Sequence, residues 1–334
     1  MCAAILFGLG RSWRAQVARC AFTRFNLAFA AALAAFLLLG GAGLNLLDRA
    51  GRLPAPPLTA TNCIDEKFSF MRDHVDMAPG LIAIGSSVTW RNLDFSVLGE
   101  PGLAALRPLN AAPCFLHVNE TAYLTRFYLN NMPSVETVLS VFAMRDFEAC
   151  EGDGAFFDAT TARRYMFDRW PGGPLYFMNF RPMLFFRDAW HLPTMRSGAD
   201  QTRTLEMDPW GSGPIALNPP KIGGNLVIAE ACFEHLERLQ RDMAARNVRW
   251  IVVLLPPMQA WLNAYDRDGE RDRAWRAEVA RRLTAESVTL LDAREGFPVQ
   301  DSQFTDPAHF QWSAVSAFTR WIFSRAHLPG VPAS

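Results

Sequence analysis

The sequence has no surplus of charge of either sign: Lys plus Arg and Asp plus Glu both number 33, for a formal net charge of zero. That removes the general electrostatic attraction on which nucleic-acid binding depends, so no nucleic-acid partner is expected. It contains no His-Glu-x-x-His motif, no cluster of histidines and no cysteines at zinc-site spacing, so no metal or other cofactor is expected. No internal repeat is detectable. One further absence is local: from Phe25 to Leu47 there is no charged residue at all. Half of the residues are hydrophobic, which excludes a disordered chain and allows a substantial core.

The uncharged run is long enough to cross a bilayer as a helix. Arg11, Arg14, Arg19 and Arg24 precede it without an acidic residue, and Asp48, Arg49 and Arg52 follow it. This bias predicts a cytoplasmic N-terminus and an extracytoplasmic remainder. The small residues of Leu39-Gly-Gly-Ala-Gly43 are of the kind a signal peptidase accepts, but the apolar run is longer than a signal peptide needs, and no cysteine follows it for lipid attachment. The expectation is an uncleaved single-pass anchor in the inner (cytoplasmic) membrane with a periplasmic domain. The chain then divides into a basic cytoplasmic segment (1–24), the anchor (25–47), a Pro-rich linker (48–62) and one catalytic domain (63–330) with an insertion at about 151–224.

Cys63, Cys114, Cys150 and Cys232 fall in the exported part. An even number in an oxidising compartment admits disulfides in three connectivities, or four buried thiols. Cys114 with Cys150 is the preferred pair, because each follows a strand and those strands are expected to be neighbours.

Five short apolar runs read as strands: Leu81 to Ile84, Leu106 to Asn110, Thr137 to Ala143, Arg249 to Leu255 and Val288 to Asp292. Their continuity suits parallel strands covered on both faces. Between them, Ile228 to Ala245 shows apolar residues at helical spacing, as do Trp275-Val279-Leu283 and Val315-Phe318-Ile322. The alternation predicts an α/β fold, a flavodoxin-like doubly wound parallel sheet of about five strands, whose ligand site lies beyond the strand carboxyl ends. The insertion is rich in aromatics, among them Phe156, Tyr165, Phe177, Phe186 and Trp190. They stack on sugar rings or form a small core of their own.

Gly85-Ser86-Ser87 ends the first strand, and Asp306-Pro307-Ala308-His309 precedes the last helix-like segment. A small-residue turn after a buried strand presents a hydroxyl at the sheet edge, beside the free N–H groups of the next helix. A histidine from the far end of the chain can act as its base, and Asp306, three residues earlier, can orient the imidazole. Ser86 is the rival hydroxyl, read as the cap of the helix that Ser87 opens. Asn92 and Asp94 read as surface residues of that helix and His74 as solvated. His117 contacts substrate or packs a helix, and His191, His235 and His327 show no partner pattern.

At these residues the chain resembles the SGNH or GDSL hydrolase superfamily, whose first block is Gly-Asp-Ser and whose last is Asp-x-x-His. The resemblance implies Ser87 as nucleophile, His309 as base and Asp306 as orienting carboxylate, with Ser86 in place of the usual aspartate. Ala143-Met144-Arg145-Asp146 stands where the family has Gly-x-Asn-Asp, so Arg145 occupies the asparagine position. Asn110-Ala111-Ala112-Pro113 lacks the second-block glycine. Arg145 and Asn110 are then the candidates for oxyanion or substrate contact. With its anchor and Gly-Ser-Ser, the chain looks like proteins that move acyl groups onto envelope polymers. That implies a membrane-anchored O-acyltransferase or O-acylesterase acting on a cell-envelope or exported polysaccharide, with a membrane-embedded acyl-donor protein as partner. The alternatives are a non-catalytic glycan-binding or assembly component of a polysaccharide export system, and a hydrolase of lipids or small esters.

Overall fold

The computed structural model describes residues 12–59, 61–326 and 328. Cys2, Arg11 and His327 lie outside the described residues, as do the side chains of Arg14, Arg19 and Cys20.

The chain is α/β. Helix α1 (Ser12–Arg49) is followed by α2 (Asn62–His74) and β1 (Leu81–Ala83). Next come α3 (Ser87–Arg91), α4 (Gly99–Leu106), β2 (Pro108–Asn110), α5 (Val118–Asn131) and β3 (Thr137–Phe142). Three helices follow: α6 (Ala159–Met166), α7 (Gly173–Met178) and α8 (Pro182–Arg196). The rhythm then resumes with α9 (Glu230–Ala245), β4 (Arg249–Leu254), α10 (Gln259–Tyr265), α11 (Glu270–Arg282) and β5 (Val288–Asp292). A small antiparallel pair, β6 (Phe304–Asp306) and β7 (His309–Phe310), leads into α12 (Trp312–Ala326).

Strands β1 to β5 form one parallel sheet in the order β2-β1-β3-β4-β5. Every residue of β1, β2 and β3 is buried, which is why these strands read as continuous apolar runs rather than alternating ones. The order of strands reverses between β1 and β3, and at such a reversal the loops after the two strands part to leave a crevice. The outer edge of β2 is covered by the loop after α8, since Asn110 N–H donates to Trp210 C=O at 2.7 Å. Lys67, fully buried, fastens the same loop by donating to the Asn110 and Gly211 carbonyls while lying over the Trp90 ring.

Among the described residues, one helix is long and apolar enough to cross a membrane, Ala21–Arg49, near the N-terminus. The proline-rich segment after it is held down at several points. Ala55 N–H donates to Glu66, and Arg196 pairs with Glu66 while donating to the Gly51 and Leu53 carbonyls.

Among the described residues the disulfides are Cys63–Cys114 and Cys150–Cys232, with Cα–Cα distances of 6.3 and 5.1 Å. This corrects the expected Cys114–Cys150 pair. Strand β1 lies between β2 and β3, so the strands that precede Cys114 and Cys150 are not the neighbours expected, and each cysteine bonds instead to one on a helix, Cys63 on α2 and Cys232 on α9.

Candidate active site

The turn after β1 is fixed by its neighbours. Ser140 on β3 donates to the Ile84 carbonyl and accepts from Trp250 Nε1. Gly85 is required by packing: a Cβ there would lie 2.0 Å from Thr89 Oγ1. That hydroxyl bridges α3 to β3, donating to the Val141 carbonyl at 2.9 Å and accepting from its N–H at 3.0 Å.

Ser86 caps α3, its Oγ accepting from Val88 N–H at 3.1 Å, and the same hydroxyl donates to Asp146 Oδ1 at 2.6 Å. Ser87, half-buried, is the first residue of the helix, so its N–H is among those with no acceptor in the helix. Its hydroxyl makes no hydrogen bond to any described residue. The two adjacent serines therefore differ sharply: one hydroxyl is held from both sides and the other is free.

His309 and Asp306 are brought together by the β6–β7 turn. His309 Nδ1 lies 2.9 Å from both Asp306 carboxylate oxygens, and Ala308 N–H donates to Oδ1 at 2.9 Å. With Nδ1 carrying the proton toward Asp306, a neutral ring presents its lone pair on Nε2. Nε2 is buried and has no hydrogen-bond partner among the described residues. Burial pushes the Asp306 carboxyl up. The charge and hydrogen bond of His309, the Ala308 N–H and the nearby Arg145 outweigh it and bring the group down to about 2.

Asn92 ties this turn to α3. Its Nδ2 donates to the Ala308 carbonyl and its Oδ1 accepts from Phe310 N–H, both at 2.8 Å, so the peptide groups on either side of His309 are gripped by one side chain. Ser87 precedes Asn92 by five residues, roughly 7.5 Å along the axis. The hydroxyl turn and the imidazole thus occupy the same region at the carboxyl end of the sheet, with no hydrogen bond between Ser87 and His309. The reading of Asn92 and Asp94 as surface residues is corrected, because both are buried. Asp94 caps the turn after α3 by accepting from Ser96 N–H and also accepts from the Ser316 hydroxyl on α12.

Asp146, which closes the block after β3, is a site residue that the sequence alone does not mark. It is buried, accepts from Ser86 and from Ala143 N–H, and burial raises its carboxyl to about 6 against the pull of these bonds, of Arg145 and of His117. Arg145 is exposed, and its charge helps to lower both the Asp146 and the Asp306 carboxyl. Asn110 is placed otherwise. Fully buried, its amide N–H groups face the Thr89 and Trp90 carbonyls and Ser212 Oγ, while Oδ1 accepts from Ala112 N–H, which leaves no donor for an oxyanion. His117 heads α5 with Nδ1 buried and without a partner among the described residues, whereas His74 stacks on Phe70 at 4.0 Å, so it is not simply solvated.

Beside the His309 turn lies a cavity of about 380 Å³, at the carboxyl ends of β3 and β4. Met144, Leu226, Leu255, Met258 and Trp261 give it apolar walls, with Arg145 and Ala308 toward the site. Arg276 holds its far wall: it is buried, pairs with Asp272 and Asp292, and donates to the Leu255 carbonyl at 2.6 Å.

No known protein-family model matches the chain, and no curated protein is similar to it at a significant level.

Proposed function

We propose that the chain is a membrane-anchored, extracytoplasmic serine acyl-transfer enzyme of SGNH type with a flavodoxin-like sheet, an O-acyltransferase or O-acylesterase acting on a cell-envelope or exported polysaccharide. One observation carries the reading. His309 has Nδ1 held by a carboxylate and Nε2 buried without a partner among the described residues, at the sheet end where the Ser87 hydroxyl, likewise unbonded to any of them, stands. An imidazole so oriented is a ready general base. The strand order and the two disulfides, which suit an oxidising compartment, agree with it.

In the proposed cycle Nε2 of His309 takes the Ser87 proton as Oγ attacks the acyl carbonyl carbon, and Asp306 stabilises the imidazolium. The oxyanion is met by the Ser87 N–H and by Arg145. His309 returns its proton to the donor oxygen as the acyl–oxygen bond breaks, leaving acyl-Ser87. A sugar hydroxyl or water then gives its proton to Nε2, attacks the acyl carbon and releases Ser87, whose Oγ recovers the proton. The apolar cavity beside His309 is the proposed seat of the acyl group.

The test is covalent capture by a fluorophosphonate probe. Ser87→Ala is expected to abolish labelling and Ser86→Ala to leave it detectable; undiminished labelling of Ser87→Ala would end the assignment. The unmade Ser87–His309 hydrogen bond and the engaged Asn110 amide favour a second reading, a non-catalytic glycan-binding component. Calorimetric binding of oligosaccharides with neither probe labelling nor ester turnover is the outcome that reading requires.

A further inference from the structure

We infer that the outward face of α7 and α8 lies in the membrane interface beside α1, so that the protein meets the bilayer through two elements rather than one. The inference rests on α1 crossing a bilayer and is independent of any catalytic role. On α8, Met183, Phe186 and Trp190 recur at helical spacing and are 83, 65 and 83% exposed. The opposite face of the same helix, with Asp188, Leu192 and Met195, is buried in the fold. A helix apolar on both faces, one of them bare, is unexplained by the packing of the chain alone.

The bare face continues onto α1. Met178 at the end of α7 and Phe180 in the link to α8 are exposed, and Phe177 is seated against Gly40, whose added Cβ would lie 3.2 Å from its ring. Gly173 approaches still more closely, since a Cβ there would meet the Gly41 carbonyl at 2.4 Å, and Tyr176 donates to Asp48 and to the Pro54 carbonyl. Gly40 lies eight residues before Asp48, roughly 12 Å along the helix axis. Phe177 is therefore level with the apolar part of α1, not with its charged end.

The charge on this face suits phospholipid. Arg181 and Arg187 are exposed, and the one carboxylate between Phe177 and Trp190, Asp188, is buried and paired with Arg187. Aromatic and Met side chains flanked by arginines are what an interfacial helix presents to acyl chains and anionic headgroups.

Site-directed spin labelling of the full chain tests this. With Cys2 and Cys20 replaced by Ser, single cysteines are introduced as Met183→Cys, Trp190→Cys, Leu33→Cys and Glu100→Cys. The labelled proteins are reconstituted in vesicles of phosphatidylethanolamine and phosphatidylglycerol, and the accessibility of each nitroxide to oxygen and to a water-soluble nickel chelate is measured. Labels at 183 and 190 are expected to show an oxygen-to-nickel ratio several-fold above that at 100 and on the side of that at 33. A lipid-like value at 33 with water-like values at 183 and 190 overturns the inference while keeping the anchor. A water-like value at 33 overturns both. Exclusion of both reagents at 183 and 190 marks contact with protein, either a partner or a second copy, and also overturns it.

Discussion

Ser86 Oγ and Asp146 Oδ1 are 2.6 Å apart inside the protein, and the carboxyl of this pair is raised to about 6 chiefly by burial. The folded state holds that proton more tightly than an unfolded chain, in which the group has its ordinary value near 3.8. Its contribution to stability is therefore full below pH 3.8 and is lost as pH rises through about 6, a change on the order of 3 kcal/mol. Asp146→Asn keeps the contacts, with Oδ1 accepting from Ala143 N–H and Nδ2 donating to Ser86. The expected result is that the variant gains on the native chain by about that amount between pH 4 and pH 8 in urea denaturation. A constant difference would contradict the raised carboxyl.

Asp306 titrates in the opposite sense. Depressed to about 2, it contributes stability above its ordinary value of 3.8 that is lost as pH falls through about 2. Asp306→Asn removes the carboxylate that holds His309 Nδ1 and with it the tautomer that leaves Nε2 free to accept a proton. If the proposed cycle operates, hydrolysis of an activated ester should fall by about 10⁴-fold with the fold intact. Loss of less than about tenfold at neutral pH would remove Asp306 from the machinery.

What the sequence discloses follows from how local each cause is. Strands β1, β3 and β4 are legible because burial on both faces writes an unbroken apolar run, and α9 because Cys232, Leu236, Leu239 and Met243 mark one face. The Asp306–His309 contact is legible because three residues span one turn. Asn92 was not, since its partners Ala308 and Phe310 lie at the other end of the chain and nothing within α3 announces them. Asp146 is hidden for the same reason, its partner Ser86 lying on a different strand's turn. The aromatics of the insertion proved divided. Phe156, Phe157 and Phe167 pack on Phe68, Tyr123 and Phe127 of the main body, and Phe177, Phe180, Phe186 and Trp190 on and between α7 and α8 remain exposed. Composition alone does not distinguish two such faces.

Gly85→Ala is expected to destabilise the chain by about 2–3 kcal/mol, as overpacking of a tight core contact does. The new methyl would strike Thr89 Oγ1 and Cβ, at 2.0 and 2.8 Å, and Thr89 cannot turn away without breaking both of its bonds to Val141. The double variant Gly85→Ala/Thr89→Ala should recover part of the loss, giving a non-additive cycle in denaturant unfolding. Strict additivity would show that the clash is relieved elsewhere.

The disulfides offer a last check, on topology itself. Cys150 and Cys232 are 82 residues apart in sequence, and tie the chain just beyond β3 to the first turn of α9. Closing a loop of that length restricts the unfolded chain enough to be worth about 4 kcal/mol. Cys150→Ser/Cys232→Ser should lower unfolding free energy by up to that amount, and the double replacement avoids leaving one reactive thiol. Non-reducing peptide mapping should yield Cys63 linked to Cys114 and Cys150 linked to Cys232. A peptide joining Cys114 to Cys150 would contradict the arrangement in which Cys63 on α2 takes the first and Cys232 on α9 takes the second.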